Sequence, residues 1–277
     1  MTDLSNKTAL VTGSTDGVGR HVARSLAEAG ARVIVHGRDA ERGRALVAEI
    51  EALGGHADFL RADLSDLAEV RGLADGVSSL VPRLDLLVNN AGIGSGGSQA
   101  QRQTNAAGHE LRFAVNYLAG FALTSRLLPL VLSSAPVRIV NVSSAGQQAV
   151  DFDDVMLTRG YSGARAYMQS KLAQILFTFD LARRLAGTGV TVNCLHPASY
   201  MATTMVREAG VTPWSTVEQG ADAILNLAIS PSVEGRGGLY FNGLEESRAH
   251  AQAYDVSAQE KLRALSFELT GLSSSAD

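Results

Sequence analysis

The chain has 277 residues, 45% of them hydrophobic and 19% charged, which excludes long-range disorder and suffices for one large α/β core. Its 24 Lys and Arg against 28 Asp and Glu leave a formal charge of −4, which gives no electrostatic reason to expect nucleic acid as a partner. The single cysteine, Cys194, excludes an intrachain disulfide. With a polar stretch at residues 1–8 and no uninterrupted apolar run long enough for a bilayer, the expectation is a soluble, cytoplasmic protein with no export signal and no membrane partner.

In chain order, residues 9–12 form a short apolar run of β-formers, a helical pattern spans 18–29, and a second strand covers 32–36. Asp39 caps a helix that reaches about Leu53, where Gly54 and Gly55 stop it. Strand-like segments recur at 58–60, 85–88, 138–142, 190–195 and 238–241, with helical patterns between most of them. Near-continuous apolar strands such as Leu86-Leu87-Val88 fit a parallel sheet covered on both faces. The repeated βα units predict a doubly wound, mostly parallel sheet with helices on both faces, a Rossmann fold, as one domain over 1–277. Two stretches break the rhythm, an insert at about 147–162 and a loop at about 199–216, and both are candidates for a lid or a substrate pocket. The tail, 273–277, is expected to fray.

The first strand runs into Thr12-Gly13-Ser14-Thr15-Asp16-Gly17-Val18-Gly19, where a helix opens. Gly13 permits a tight turn, Gly17 lets the backbone approach a pyrophosphate, and Gly19 allows close packing of helix on strand. The phosphate would rest on the free amides of the helix start. After the second strand the place of an acidic ribose-binding residue holds Gly37, followed by Arg38. A carboxylate repels a 2′-phosphate and a guanidinium grips it, so the expected cofactor is NADP(H), with NAD(H) possible. Arg38 also reads as an ordinary loop arginine. Asp63, followed by Leu64, suits either an adenine amino group or a helix cap, and Asn89-Asn90-Ala91-Gly92 supplies small residues after the fourth strand.

The chemistry centres on Tyr167-Met168-Gln169-Ser170-Lys171. Positions four apart share a helix face, so phenol and ammonium can meet. A free tyrosine, with a pKa of about 10, is a poor base at neutral pH, and a nearby cation favours the phenolate. Tyr167 can then give a proton to a ketone oxygen or take one from an alcohol. Ser143 and Ser144 end the preceding strand, where a hydroxyl can hydrogen-bond a substrate oxygen as charge develops.

These elements together resemble the short-chain dehydrogenase/reductase family. The matches are Thr12-Gly13-xxx-Gly17-x-Gly19, Asp63, Asn89-Asn90-Ala91-Gly92, Asn116 in Val115-Asn116-Tyr117, Ser144 and Tyr167-xxx-Lys171, in family order over nearly the whole chain. The resemblance implies that Tyr167 is the acid/base and that Lys171 lowers its pKa and holds the nicotinamide ribose. It gives Ser144 the task of orienting the carbonyl, with Ser143 as its supporting neighbour, and gives Asn116 a relay water. It places Asn90, Ala91 and Gly92 along the cofactor cleft. His196-Pro197-Ala198 resembles the segment that clasps the nicotinamide, with Ala198 in place of the usual glycine and Thr203 or Thr204 as the following threonine, so Pro197 joins the cofactor set. The long gap from Ser144 to Tyr167 resembles the retinol-dehydrogenase-like and protochlorophyllide-reductase-like branch. Tyr161 has Arg165 four residues on instead of a lysine.

The expected function is an NADP(H)-dependent carbonyl reductase or alcohol dehydrogenase acting on a small molecule. Met201, Met205, Val206 and Trp214 suggest an apolar one, or else pack the loop against the body. A non-catalytic NADP(H)-binding redox sensor is the alternative, and a sugar-nucleotide epimerase lacks its usual glycine spacing and larger C-terminal domain. His21, His36, His56, His109, His196 and His250 show no metal spacing, Asp151, Asp153 and Asp154 read as a solvated loop, and no metal is expected. The helix after Lys171 is apolar on more than one face, which points to a homodimer or homotetramer.

Overall fold

The structure, a computed structural model, describes residues 3–97 and 99–273, so the expected fraying at 274–277 lies outside the described residues. Strands β1 (Thr8–Val11), β2 (Arg32–Gly37), β3 (His56–Arg61), β4 (Leu86–Asn89), β5 (Val137–Val142), β6 (Val190–His196) and β7 (Tyr240–Asn242) run parallel, and β8 (Glu245–Ser247) pairs antiparallel with β7. The order across the sheet is β3-β2-β1-β4-β5-β6-β7-β8. Strand alternation divides the core in two. Leu10, Ile34, Leu87, Ile139 and Val192 face helices α3 (Leu67–Leu80), α4 (Ala119–Ser133), α5 (Gly163–Arg184) and α8 (Val256–Thr270). Val11, Val35, Val88, Val140 and Phe241 face α1 (Gly17–Glu28), α2 (Ala40–Ala52) and α7 (Val217–Ile229), while the short α6 (Thr204–Glu208) lies in the loop after β6.

Three consecutive βα connections start their helices with the same device. The side chains of Asp16, Asp39 and Asp66 accept hydrogen bonds from amides of the first turns of α1, α2 and α3. The seven parallel strands fall within two residues of the expected positions, and β8 was not expected. The third extends over 56–61 because its ends, His56 and Arg61, are exposed and lack an apolar pattern.

Two expectations are corrected. The first concerns apolar runs. A π-helical turn, Phe113–Leu118, runs straight into α4, and the stretch Phe113–Ser133 is by length and composition apolar enough to cross a bilayer. Asn116, Gly120, Ser125 and Arg126 interrupt it in the sequence, so a search for uninterrupted runs passes over it. Here Tyr117, Leu118, Leu123 and Leu127 are buried in the core. The second concerns α5. Its extra apolar face is covered by the chain's own α8. On α5 itself Arg263 Nη1 donates to Asp180 Oδ1 at 2.6 Å, and α8 also reaches the neighbouring π-helical turn, where Tyr117 Oη and Ser266 Oγ lie 2.6 Å apart, and α4, where Phe267 packs edge-on against Phe121. That face is therefore filled within one chain.

The insert at 147–162 is packed down. Val150 and Val155 pack into the core and Leu157 is buried, Val150 exchanges two hydrogen bonds with the Gln252 amide, and Asp151 N donates to Gln169 Oε1 at 2.8 Å.

Candidate active site

β1 and β4 are neighbours in the sheet but not in sequence, so the strand order reverses between them. The crevice at their carboxyl ends is where open α/β sheets bind ligands. Gly13 takes the left-handed conformation there, at φ 64°, and a Cβ on it would lie 2.8 Å from Ala91 Cα. At Gly19 a Cβ would lie 2.3 Å from Asn90 Nδ2 and 2.4 Å from Gly13 O, so its small size is a packing requirement. Gly17, at φ 53°, opens α1, and its amide is capped by Asp16 Oδ1 at 2.7 Å. Above Gly17 lies the Thr203 methyl, and Thr204 Oγ1 donates to Asp16 Oδ2 at 2.7 Å. The loop at 199–216 therefore closes over the glycine-rich turn.

Several expected cofactor residues act here through other contacts. Ser14 is fully buried, its hydroxyl donating to Val11 O at 2.8 Å and accepting from His36 N at 2.9 Å while its amide donates to His36 O at 2.9 Å, so it ties β1 to β2. Leu64 is buried in the core. Thr15 packs over Gly37, where a Cβ would come within 2.5 Å of both its Cγ2 and Oγ1. Val18 packs against the α7 face of the core. Asn90 Nδ2 donates to Thr12 O at 2.8 Å, and Thr12 Oγ1 accepts the amides of Asn90 and Ala91, both at 3.0 Å. Asp63 accepts from Ser65 N at 2.9 Å. Burial alone would raise its pKa, but the Ser65 hydrogen bonds and the charges of Arg38 and Arg61 outweigh it and hold Asp63 below the usual carboxylate value. Arg38 is exposed beside this pocket.

His36 was not among the expected site residues. Gly13 N donates to its Nδ1 at 3.1 Å, which leaves the ring proton on Nε2, 3.2 Å from Ala62 O. Burial holds it neutral, with a pKa lowered to about 4. The ring thus joins the glycine-rich turn to the loop that carries Asp63.

The second half of the site lies at the ends of β4 and β5 and along α5. Ser162 caps α5 by accepting from Arg165 N, and the helix then brings Tyr167 and Lys171 onto one face, with Lys171 Nζ 5.7 Å from the Tyr167 ring centroid. Ser144 Oγ accepts Gly146 N at 3.0 Å and hydrogen-bonds Tyr167. Ser143 Oγ instead donates to Lys171 O at 2.7 Å, so it fixes β5 to α5. Lys171 Nζ donates to Val142 O at 3.0 Å, and burial lowers its pKa to about 7. Burial also pushes Tyr167 above its ordinary value, with the Ser144 hydrogen bond opposing. In the cofactor-free chain desolvation is thus the larger effect on the phenol.

Asn116 sits on the π-helical turn, a local distortion often found at functional positions. Its Oδ1 accepts Ile93 N at 2.7 Å, and its Nδ2 donates to Ile93 O at 3.1 Å and to Ser170 Oγ at 2.9 Å. A Cβ on Gly92 would lie 3.2 Å from Asn116 Oδ1 and 3.4 Å from Lys171 Nζ, so the three residues meet at one point. Pro197 is buried just beyond β6, and His196 Nε2 lies 3.0 Å from Ser199 Oγ. Met205 reaches over Gly94, Met201 packs on Gly220, and Trp214, 75% exposed, stacks edge-on with Tyr200. Among the described residues no group of three His, Cys, Asp or Glu side chains is placed to hold a metal.

A family model described as short chain dehydrogenase matches residues 7–213. The chain belongs to the short-chain dehydrogenase family. Human retinol dehydrogenase 13 is 36% identical, the match covering 97% of this chain and 86% of the relative, which sets this short-chain dehydrogenase on the retinol-dehydrogenase-like branch. A crystal structure of an uncharacterized Mycobacterium paratuberculosis protein matches with TM-score 0.80 and 30% identity over 98% of this chain and 96% of the other. A Burkholderia cenocepacia J2315 short-chain dehydrogenase solved in complex with NADP matches with TM-score 0.72 and 30% identity, over 87% of this chain and 97% of the other. This short-chain dehydrogenase is accordingly an oxidoreductase of the alcohol/carbonyl type with a nicotinamide-cofactor fold. Two positions that sequence reading passed over, Thr12 and His36, tie the crevice together. Thr12 stood inside the quoted motif, whereas a histidine in an apolar strand carries no sign of which nitrogen will be used.

Proposed function

We propose that this short-chain dehydrogenase uses NADP(H) to interconvert a carbonyl and a primary or secondary alcohol, with Tyr167 as the acid/base. The observation that carries the reading is the meeting of Ser144, Tyr167 and Lys171 beside the strand-order reversal, with Gly92 and Asn116 against Lys171. The crevice fits a dinucleotide in two respects. The start of α1 offers backbone amides at the carboxyl end of β1, and Gly37 leaves no carboxylate where Arg38 and Arg61 add positive charge. The residues that would hold the cofactor are Gly13, Thr15, Gly17, Val18, Gly19, Arg38, Asp63, Asn90, Ala91, Gly92, Tyr167, Lys171 and Pro197. When bound it supplies or accepts the hydride.

The chain's own residues do the rest. Ser144 Oγ hydrogen-bonds the substrate oxygen and fixes it against Tyr167. Tyr167 Oη gives that oxygen a proton during reduction and takes it back during oxidation. Lys171, when protonated, favours the phenolate, and Asn116 fixes the Ile93 backbone opposite it. The 2′-phosphate selectivity rests on Arg38, since Gly37 cannot carry a side chain without striking Thr15.

The substrate we favour is an apolar carbonyl or alcohol, held beneath Met205, and the similarity to human retinol dehydrogenase 13 makes a retinoid one to test. We place the protein in the cytoplasm on its composition and its single buried Cys194. The homodimer or homotetramer expected from the sequence is proposed with its interface outside the part of α5 that α8 covers. The test is a panel of ketones, aldehydes and retinaldehyde monitored by loss of NADPH absorbance. Saturable oxidation of NADPH with an apolar carbonyl supports the reading, and NADPH binding without turnover across the panel favours the redox sensor.

A further inference from the structure

Beyond the residues already placed, one buried ionic cluster stands behind the cleft wall. Glu110 and Arg112 are 1% and 6% exposed, and they meet Tyr161, which the insert carries across to them. Arg112 Nη1 donates to Tyr161 Oη at 2.7 Å and lies 3.5 Å from Glu110 Oε1, and Tyr161 Oη donates to the same carboxylate oxygen at 3.0 Å. Glu110 Oε2 accepts Phe113 N at 2.8 Å, at the start of the π-helical turn that carries Asn116. The two remaining nitrogens of the guanidinium turn toward the cleft. Nε donates to Gly94 O at 2.9 Å and Nη2 to Ser95 O at 2.7 Å.

We infer that Glu110, Arg112 and Tyr161 are positioning residues that hold the 93–96 backbone as the floor of the substrate cleft, and so set the fit of the carbonyl substrate. The inference rests on the oxidoreductase reading above. Three close approaches show how tightly this backbone is confined. A Cβ at Gly96 would lie 2.4 Å from Arg112 Nη2, one at Gly94 2.9 Å from Met205 Cγ, and one at Gly163 1.9 Å from Ser95 O. Gly163 opens α5, and Tyr167 follows one turn later, so the same carbonyl that Arg112 holds lies directly against the start of the helix that carries the phenol. On its other side the segment is gripped at Ile93 by Asn116. A planar fork with parallel donors suits two successive carbonyls and one acceptor behind, which an ammonium cannot serve at once. A buried guanidinium also requires its carboxylate, and Tyr161 completes the shell by giving to Glu110 and accepting from Arg112. Burial, with Glu110 beside it, pushes the Tyr161 phenol up to about 12, so it stays a neutral donor.

The mild variant is Tyr161→Phe, which keeps the ion pair and removes two hydrogen bonds, and Arg112→Lys is the second, keeping charge without the fork. For Tyr161→Phe the KM for the carbonyl substrate rises about tenfold while NADPH affinity, read by fluorescence, stays within about twofold, since a shifted cleft floor costs alignment and not cofactor contacts. Arg112→Lys raises KM further. Hydrogen–deuterium exchange at the amides of 93–96 speeds up in both. A lowered melting temperature with unchanged KM and unchanged exchange overturns the inference. Should the wild type turn over no carbonyl at all, the oxidoreductase reading fails, while unchanged exchange at 93–96 in both variants independently overturns the positioning role.

Discussion

Replacing Lys171 with methionine removes a buried cation whose effect on stability depends on pH. Burial holds the ammonium at about 7 in the folded chain, against the ordinary value of 10.5. Between those values the unfolded chain binds more protons than the folded one, so this group's contribution to stability rises with pH. Its penalty is full below pH 7 and is relieved as pH climbs toward 10.5. Integrated from pH 7 to pH 9 at 1.36 kcal/mol per unit, the relief is about 2 kcal/mol. Methionine has no such slope. The stability of Lys171→Met relative to wild type should therefore fall by about 2 kcal/mol over that range, because wild type alone gains it. Cys194, which burial raises from 9.0 to about 12, also titrates differently in the two states toward pH 9, but both proteins share it and it cancels in the difference. Urea unfolding of the two cofactor-free proteins at pH 7, 8 and 9 measures it. A difference that stays constant with pH would show that Lys171 keeps its charge when buried, and the desolvation argument would be wrong.

Other consequences are equally direct. Arg38→Ala should weaken NADP(H) by about tenfold to a hundredfold and leave NAD(H) within about twofold, as expected for loss of a charge-assisted fork. Unchanged preference in cofactor titrations would remove Arg38 from that role. His36, held at about 4 by burial, destabilises the fold as pH drops from 6.5 toward 4, since the unfolded chain takes the proton first. Wild type should lose about 2 kcal/mol relative to His36→Asn between pH 7 and pH 5, and parallel pH curves in urea unfolding would contradict the buried neutral ring. Leu262 is 1% exposed where α8 meets α5, so Leu262→Glu should lift the helix and produce concentration-dependent association in light scattering. An unchanged, fully folded species would mean that α8 does not guard that face.

The sheet was legible because parallel strands covered on both faces leave runs such as Leu86-Leu87-Val88, and because Asp39 announces its helix by the amides it caps. The Tyr167/Lys171 pair was legible because helix spacing alone puts them on one face. What escaped has physical reasons. In α8 the buried residues are Ala258, Gln259, Leu262 and Ser266, two of them polar, so its stripe has little hydrophobic contrast. The insert anchors itself through Val150, Val155 and Leu157, which are scattered among polar residues and buried only because distant elements receive them. The π-helical turn has no sequence period of its own. The burial that raises the Tyr167 pKa is not legible either, because charge proximity can be read from spacing whereas desolvation depends on the walls that the rest of the fold builds.

The most direct test of the central claim is Tyr167→Phe, with NADPH affinity and carbonyl turnover measured on the same preparation. The phenyl ring keeps the packing and removes the hydroxyl that exchanges a proton with the substrate. The account predicts NADPH binding within about twofold of wild type and turnover reduced by about a hundredfold or more. Turnover near the wild-type level with intact binding would contradict it and take the acid/base role away from Tyr167.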